Sequence, residues 1–283
     1  QRQNFVSVKD ETSGKVIIGV EDGANNSYCD LLFYVNASKT IEEPNDRPVI
    51  TPDDGNEPEK PDVTETKTGT LAFEDIWPGG GDYDMNDVIV EYNRAVSFDK
   101  KNQVTKIVDT FTPVHDGAVF ANAFAYQVDK GQFGKMTFSA TTEGIHTESA
   151  TSSIIVCPNV KQAIQKVYTI TREFTGGSFN KKDLKSYNPY IIVKYAEGQK
   201  GRTEVHLPKH EATSLADLSL AGTQKDAYYI DKEGAYPFAI DIPILNFISV
   251  TEKKSIDTEY PNFKAWADSK GEKYTDWYNN HVN

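Results

Sequence analysis

The sequence is short of positive charge, of long apolar runs and of cysteine, and each shortage excludes a class of protein. It has 30 lysines and arginines against 42 acidic residues, a net charge of −12, which argues against binding nucleic acid through its phosphates. No apolar run reaches the roughly 18 residues that a transmembrane helix needs. The two cysteines, Cys29 and Cys157, lack CxxC spacing, so either one long-range disulfide or two free thiols is possible.

The motifs of common enzyme classes are missing as well. The sequence has no GxSxG, no P-loop and no HExxH. His206 and His210 have the spacing of a helical metal site, but Pro208 between them would break the helix, so we predict a strand end followed by a turn. A pair of glycosidase acids stays open in so acidic a chain, yet no nucleophile and base stand out. The sequence therefore predicts a protein that is not an enzyme.

The dominant signal that is present is that of β-strands. Short runs rich in Val, Ile, Phe and Tyr are separated by Gly, Pro, Asn and Asp, as is typical of strands and turns. These runs include KVIIGV, DLLFYV, DVIVEY, GAVFANAFAYQVD, SIIVC, QKVYTITREF, PYIIVKY and PFAIDIPIL. Because long helices do not alternate with them, the sequence predicts an all-β protein with an antiparallel, jelly-roll-like β-sandwich.

One short C-terminal helix is predicted in YPNFKAWADSKG. Pro261 suits a first turn, and Phe263, Trp266 and Ala267 share one face. Gly271 can end the helix. We expect this helix to dock its aromatic face on the sandwich.

Composition divides the chain into three parts. Residues 42–65 contain nine acidic residues, two basic residues and five prolines, and account for seven of the twelve net negative charges. Like-charge repulsion, proline and low hydrophobicity oppose a packed core there. We therefore predict a small β domain over residues 1–41, an acidic linker or long loop over 42–68, and a β-sandwich domain over 69–283.

An acidic loop in FEDIWPGGGDYDMNDVIVEY is the strongest chemical signal. Five carboxylates and one amide lie within fourteen residues, just before an apolar strand. They are Glu74, Asp75, Asp82, Asp84, Asn86 and Asp87. Ca²⁺ binds six to eight oxygens from carboxylates, amides, carbonyls and water, and glycines let such a loop turn tightly. The loop is not an EF-hand, because Asp87 and Asn93 occupy the positions of its glycine and its bidentate glutamate.

We predict a calcium site formed by these six residues, with Asp75 the least certain ligand. The loop contains no Cys or His, which argues against zinc. The alternative is a solvated cluster of turn-forming residues.

A shorter copy of the loop precedes the linker. VEDGANNSYCDLLFYV aligns with the acidic loop so that Asp30 matches Asp87, but Cys29 and Ser27 replace Asn86 and Asp84. We expect a vestigial loop, in which Glu21, Asp22, Asn25 and Asp30 hold an ion weakly at most.

Trp77, next to the acidic loop, raises the alternative of a carbohydrate-binding module of the cell surface. Aromatic faces stack on sugar rings, and the chain has many tyrosines and phenylalanines. A single tryptophan beside a turn more often packs against its own protein, so we expect Trp77 to cover the loop.

Three stretches resemble the successive landmarks of the LruC-domain proteins, which are secreted or envelope-attached proteins of Gram-negative bacteria. They are the acidic loop, EVHLPKHEATSLADLSLAGTQKDAYYIDKEGAYPFAIDIP, and YPNFKAWADSKGEKYTDWYNNH. The resemblance covers about residues 69–283, and residues 1–41 resemble the end of a domain with an FEDG…DYNDVLFYV motif. The sequence departs from the family where Ala123, Phe124 and Ala125 replace a Gly-Phe-Gly step.

The resemblance implies a β-sandwich, a calcium-type acidic loop and export, and it brings no established activity. We therefore expect an exported, non-catalytic calcium-binding protein, secreted or attached to the outer membrane or cell surface, for example as a lipoprotein. Its role would be adhesion or envelope structure, with surface glycans or other envelope proteins as partners.

Overall fold

The structure is a computed structural model that describes residues 5–9, 16–20, 31–35, 63–133, 136–174, 179–185, 187–198 and 201–282. The chain divides into two compact units, residues 1–58 and residues 59–283. The first unit contains an antiparallel sheet in the order β1-β2-β3, with strands β1 (Phe5–Lys9), β2 (Val16–Val20) and β3 (Leu31–Val35). Cys29 and the shorter acidic loop lie outside the described residues.

The larger sheet of the second unit has six antiparallel strands in the order β14-β4-β5-β6-β11-β8. Its long central strands alternate buried and partly exposed side chains, because one face of each strand meets the core. The strands are β4 (Val63–Phe73), β5 (Val88–Phe98), β6 (Val104–His115), β8 (Met136–Ala140), β11 (Tyr168–Phe174) and β14 (Ala239–Ile242).

The smaller sheet has five antiparallel strands in the order β13-β12-β7-β10-β9. Its three central strands are buried almost throughout, which explains their nearly continuous apolar sequences. The strands are β7 (Ala123–Gln127), β9 (His146–Glu148), β10 (Ser153–Cys157), β12 (Asn188–Ile192) and β13 (Glu204–His206).

The two sheets pack face to face, and the main core lies between them. Phe111 from β6 contacts Phe124 and Tyr126 from β7, with ring centroids 5.1 and 5.2 Å apart. Ile154 from β10 and Ile191 from β12 belong to the same buried cluster. The predicted all-β sandwich is thus confirmed.

A third layer covers the outer face of the six-stranded sheet. Helix α1 (Lys130–Phe133) is a single turn after β7, whereas α2 (Phe263–Asp268) belongs to the C-terminal segment. Ile89 and Ile240 on the outer face share a buried cluster with Phe263 and Trp277 of that segment. The predicted short C-terminal helix is confirmed, and it buries an aromatic face as expected.

The start of β4 differs from the predicted boundary. The strand begins at Val63, within the range assigned to the linker, and its first five residues are exposed. These residues pair with β5 through their backbones, Val63 lying opposite Phe98. They carry no apolar pattern because neither of their side-chain faces is buried.

Candidate metal centre

The acidic loop, residues 74–87, connects β4 to β5. Phe73 and Val88 pair directly at the ends of the two strands. This pairing closes the loop, because it brings the residues just outside the strands, Glu74 and Asp87, close together. A hydrogen bond also links the two ends of the loop: the backbone N–H of Asp75 donates to Asp87 Oδ2 at 2.8 Å.

Three carboxylates of the loop meet at one point. Glu74, Asp82 and Asp84 each place one oxygen within 4.8 Å of the others. Glu74 and Asp84 are buried, whereas Asp82 is exposed. The group therefore has a buried side and a side open to solvent.

Glu74 has one satisfied oxygen and one that lacks a partner. Its Oε1 accepts the N–H of Met85 at 2.7 Å. Its Oε2 is buried and accepts no hydrogen bond from the described residues. This oxygen lies against Gly81, where an added Cβ would be only 2.3 Å away. The chain thus makes room for a carboxylate oxygen that it does not itself neutralise.

Asp84 connects the loop to the C-terminal segment. Its Oδ1 accepts the N–H of Asn86 at 3.2 Å, and its Oδ2 accepts the N–H of Lys253 at 2.9 Å. The backbone adds another link, since Ile256 donates its N–H to the carbonyl of Tyr83 at 2.8 Å. The position of Asp84 is therefore fixed from both sides.

Asn86 presents its amide oxygen without a partner. Its Nδ2 donates to the carbonyl of Val250 at 3.1 Å, which fixes the orientation of the amide. Its Oδ1 is buried, has no partner among the described residues, and lies 2.4 Å from where a Cβ on Gly117 would be. A side chain at Gly117 would displace this oxygen.

Asp75 and Asp87 form a pair beside the trio. Asp75 Oδ2 accepts a hydrogen bond from Asn122 Nδ2 at 2.7 Å, and the Asp75 carboxyl group lies close enough to that of Asp87 for the two to influence each other's pKa. The six residues that the sequence predicted are therefore all in one neighbourhood. Only Glu74, Asp82 and Asp84 share a common point among the described acidic side chains.

The electrostatics of the loop oppose ionisation. Burial, followed by repulsion from Asp87, raises the pKa of Glu74 well above its usual value. Burial, followed by repulsion from Asp75, raises the pKa of Asp87 to about 8. Burial also raises the pKa of Asp84. A cation among these groups would favour their ionised forms, since an opposite charge at short range offsets burial.

The donor atoms fit a hard divalent cation. The trio supplies carboxylate oxygens alone, the ligands that Ca²⁺ and Mg²⁺ prefer, and contains neither the imidazole nor the thiolate that zinc sites favour. The unpartnered Glu74 Oε2 is a free ligand atom on the buried side. The exposed Asp82 leaves space for water on the other side.

Trp77, the predicted ligand-binding residue, lies in the core. It is 7% exposed, its Nε1 donates to Asp226 Oδ1 at 2.8 Å, and its ring centroid is 4.9 Å from that of Tyr229. An indole enclosed in this way offers no face to a sugar ring. The buried position of Trp77 argues against the alternative in which it stacks on a sugar, and agrees with the expectation that it packs beside the loop.

The two histidines of HLPKH form no shared site. As predicted, β13 ends at His206, and a turn follows in which His210 donates its N–H to the carbonyl of Leu207 at 3.1 Å. The ring of His206 is fully buried between Glu204 and Asn188, whose oxygens are 2.9 and 2.7 Å from its nitrogens. His206 serves the packing of the five-stranded sheet.

The residues outside the loop that hold it in place could not be predicted from the sequence. Asn122 lies 47 residues from Asp75, and Lys253 lies 169 residues from Asp84. Lys253 binds Asp84 through its backbone N–H, so any residue except proline could make this contact and the side chain gives no indication of it. Only Gly117, at the start of the stretch that leads to Asn122, gives a weak indication, since a glycine in an apolar stretch often marks a place where another part of the chain approaches the backbone closely.

Comparison with solved structures supports the fold. A Bacteroides ovatus protein named "Putative lipoprotein" superimposes with a TM-score of 0.57 at 16% identity, over 99% of this chain and 91% of that one. At this identity the likeness concerns the fold alone.

Among proteins with curated descriptions, none matches the chain. The profile of a family described as a domain of unknown function, DUF4842, matches residues 102–278. These residues include most of both sheets and the C-terminal layer. The chain therefore belongs to the DUF4842 family.

Proposed function

We propose that the chain is a non-catalytic protein of the bacterial cell envelope, in which Ca²⁺ bound by the acidic loop holds the loop against the sandwich. The observation that carries this proposal is Glu74 Oε2, a buried carboxylate oxygen without a partner among the described residues, on a side chain whose carboxylate meets those of Asp82 and Asp84. A buried, unpaired charge is unfavourable unless a cation neutralises it. Glu74, Asp82 and Asp84 would be direct ligands. Asn86, Asp75 and Asp87 would bind the ion or orient the direct ligands.

The envelope location rests on two independent similarities. The acidic loop and the two C-terminal landmarks resemble the LruC-domain proteins, which are exported. The structurally similar Bacteroides ovatus protein carries a lipoprotein name. Among the described residues, no helix is long and apolar enough to cross a membrane. We expect adhesion or envelope structure as the role, with surface glycans or other envelope proteins as partners.

Thermal melts with and without calcium test the metal site. Binding to the folded state alone adds about 2.7 kcal/mol when calcium is at a hundredfold excess over Kd. For a domain of this size that corresponds to a rise in Tm of roughly 5–10 °C over the melt with chelator. Magnesium should raise the Tm less, because it prefers a strict octahedral site and keeps its waters.

Asp82→Asn is the most informative variant. Asp82 is exposed and accepts no hydrogen bond from the described residues, so the substitution removes a ligand charge without breaking the loop. Asp276→Asn removes an equally exposed charge in the C-terminal segment and serves as the matched control. Calcium should stabilise the control and the wild type equally, and Asp82→Asn much less. Identical melts of the wild type in calcium and in chelator would reject the site.

A glycan array addresses the carbohydrate alternative. Specific hits that disappear in chelator would extend the proposal to calcium-dependent glycan binding, whereas hits independent of calcium would separate recognition from the acidic loop.

A further inference from the structure

Strand β8 forms one edge of the six-stranded sheet and, among the described residues, pairs only with β11. Thr141 continues this pairing by donating its N–H to the carbonyl of Thr169 at 3.1 Å. In an antiparallel pair, residues that exchange hydrogen bonds alternate with residues that do not. The backbone N–H and C=O groups of every second residue of β8 therefore point away from the sheet. These residues are Met136, Phe138 and Ala140.

The same three residues place their side chains on the core face of the sheet. Phe138 lies opposite Arg172, which is buried and donates to Asp109 on β6. Met136 and Phe138 pack against the main core between the sheets, but both stay partly exposed, and Ala140 is exposed. The core is thus incompletely covered along this edge.

The other described edges of the sandwich are protected against pairing, whereas β8 is not. Strands β9 and β13 have three residues each, and β14 lies between Pro237 and Pro243 and carries Asp241. Short strands, prolines and charges all hinder the addition of a further strand. Strand β8 has five residues with neither a charge nor a proline, in a chain of which 25% is charged. It is therefore the edge that is open to another strand.

The sequence of β8 is complementary to itself. When two copies run antiparallel around Phe138, each Phe138 faces its equivalent, and Met136 of one copy faces Ala140 of the other. The outward backbone groups of the two copies then meet, as a two-fold axis requires. A long side chain lies beside a short one, and no like charges face each other, since the strand has none.

We propose that β8 is a dimer interface, at which two copies of the chain join their six-stranded sheets into one continuous sheet. Pairing would satisfy the outward backbone groups and cover the exposed parts of Met136 and Phe138. The interface is independent of the acidic loop, since none of its residues belongs to that loop.

The dimer is expected to be weak and reversible. Five residues a side are far fewer than the roughly 20–30 of a standard stable interface. Each copy also carries a net charge of −12, so the copies repel each other. Because salt screens this repulsion and the paired strands are uncharged, sodium chloride should strengthen the dimer.

Sedimentation equilibrium of the full chain, from micromolar to millimolar concentration, tests the proposal. Chelator and reductant are present, so that neither calcium nor a disulfide contributes. The mass should rise from 31.6 kDa towards twice that value, and added sodium chloride should shift this rise to lower protein concentration. A monomer throughout the range would overturn the proposal.

Ala140→Pro assigns the dimer to β8. Proline is tolerated where the N–H of an edge strand faces solvent, so the monomer should keep its Tm while losing one outward donor. Ala140→Ser keeps that donor and is the matched control. Association should be at least about tenfold weaker in Ala140→Pro and unchanged in Ala140→Ser. Equal association of the two variants would place the interface elsewhere and overturn the proposal.

Hydrogen exchange decides the matter if Ala140→Pro does not fold. In the wild type, the amides of Met136, Phe138 and Ala140 should exchange more slowly at high than at low protein concentration. The amides of Thr137 and Ser139 bond to β11 in the monomer and are the internal reference. Exchange of the outward amides that does not depend on concentration would contradict the interface.

Discussion

The backbone at Gly81 lies against the carboxylate of Glu74, with no room for a side chain between them. A substitution at Gly81 therefore tests whether Glu74 binds the metal. An added Cβ would lie 2.3 Å from Glu74 Oε2, and the φ of Gly81 is outside the left-handed region, so the added methyl group acts mainly on the carboxylate. We predict that Gly81→Ala keeps the fold and weakens calcium binding at least about tenfold, or about 1.4 kcal/mol. Calcium titration by calorimetry measures the change.

Gly79→Ala is the matched control in the same glycine run. Its Cβ would lie 3.1 Å from Oε1 of Gln224, the end of a flexible side chain that can move. The control should bind calcium as the wild type does. Equal affinities of Gly81→Ala and Gly79→Ala would argue that Glu74 is not a ligand.

Asp109 should make stability depend on pH in the acid range. Burial disfavours its ionised form, but Arg94 and Arg172 outweigh burial, so the pKa of Asp109 is lowered. The unfolded chain, with a pKa of about 3.9, takes up the proton first as pH falls. The stability that Asp109 contributes is therefore complete above about pH 4 and is lost as pH falls towards the folded-state pKa.

Comparison with Asp109→Asn isolates this effect from other carboxylates. The variant leaves two buried guanidinium groups without a counter-charge and should cost about 3–5 kcal/mol at neutral pH. The difference in free energy of unfolding between wild type and variant should shrink as pH falls below about 4. Denaturant melts in chelator measure it, and a difference that grows with acidity would refute the assignment.

Clusters of interacting side chains could be predicted from the sequence where their members lie close together in the chain, and could not be predicted where the members come from separate strands. Glu74, Asp82 and Asp84 lie on one loop, so their spacing alone predicted the cluster. Arg94 and Arg172 lie on separate strands, and only the pairing of those strands brings them to Asp109. In the sequence alone, charged residues within a strand indicate a face of the sheet that is exposed to solvent.

At the scale of elements, the acidic loop holds the segment that follows β14. Three of its residues, Tyr83, Asp84 and Asn86, bond to the backbone between Val250 and Ile256. We predict that chelation speeds hydrogen exchange of the amides of Lys253 and Ile256, by up to about a hundredfold if opening requires loss of the ion.

Amides of β7 and β10 provide the internal reference for that exchange experiment. These strands are central in the five-stranded sheet and fully or almost fully buried. Their exchange should not respond to chelator more than global stability does. Uniform acceleration across both regions would show that the ion acts on the whole domain and not on the C-terminal segment.

Strands could be predicted from the sequence where they are buried, because burial requires apolar side chains. The apolar runs SIIVC and PYIIVKY coincide with β10 and β12, which are buried on both faces. The first half of β4 falls in the range predicted as a linker, because its residues are polar and continue the acidic, proline-rich stretch, and its side chains are indeed exposed. Backbone pairing stabilises that half, and such pairing leaves no hydrophobic pattern.

For the whole molecule, we predict that residues 59–283 fold without residues 1–58. Both sheets of the sandwich and its C-terminal layer lie within this range. The shortened chain should unfold in one cooperative transition and keep the calcium-dependent shift in Tm. Calorimetry of both lengths measures this, and a shortened chain without a cooperative transition would contradict the division.

Topology was the least predictable level. Sequence patterns favoured an antiparallel sandwich, but the order β14-β4-β5-β6-β11-β8 places the last strand beside the first strand of the domain. This pairing joins Ile240 to Ala72, residues whose local sequences carry no sign of each other. Contacts this distant are determined by how the whole core closes.

The edges of the five-stranded sheet bear on how copies of the protein behave at high density. The five-stranded sheet is bordered by β9 and β13, which have three residues each and carry His146, Glu148, Glu204 and His206. Such short borders expose few backbone groups to a neighbouring chain, so strand exchange and fibril growth have little to start from at this sheet. Crowded copies therefore gain little from pairing through the edges of this sheet.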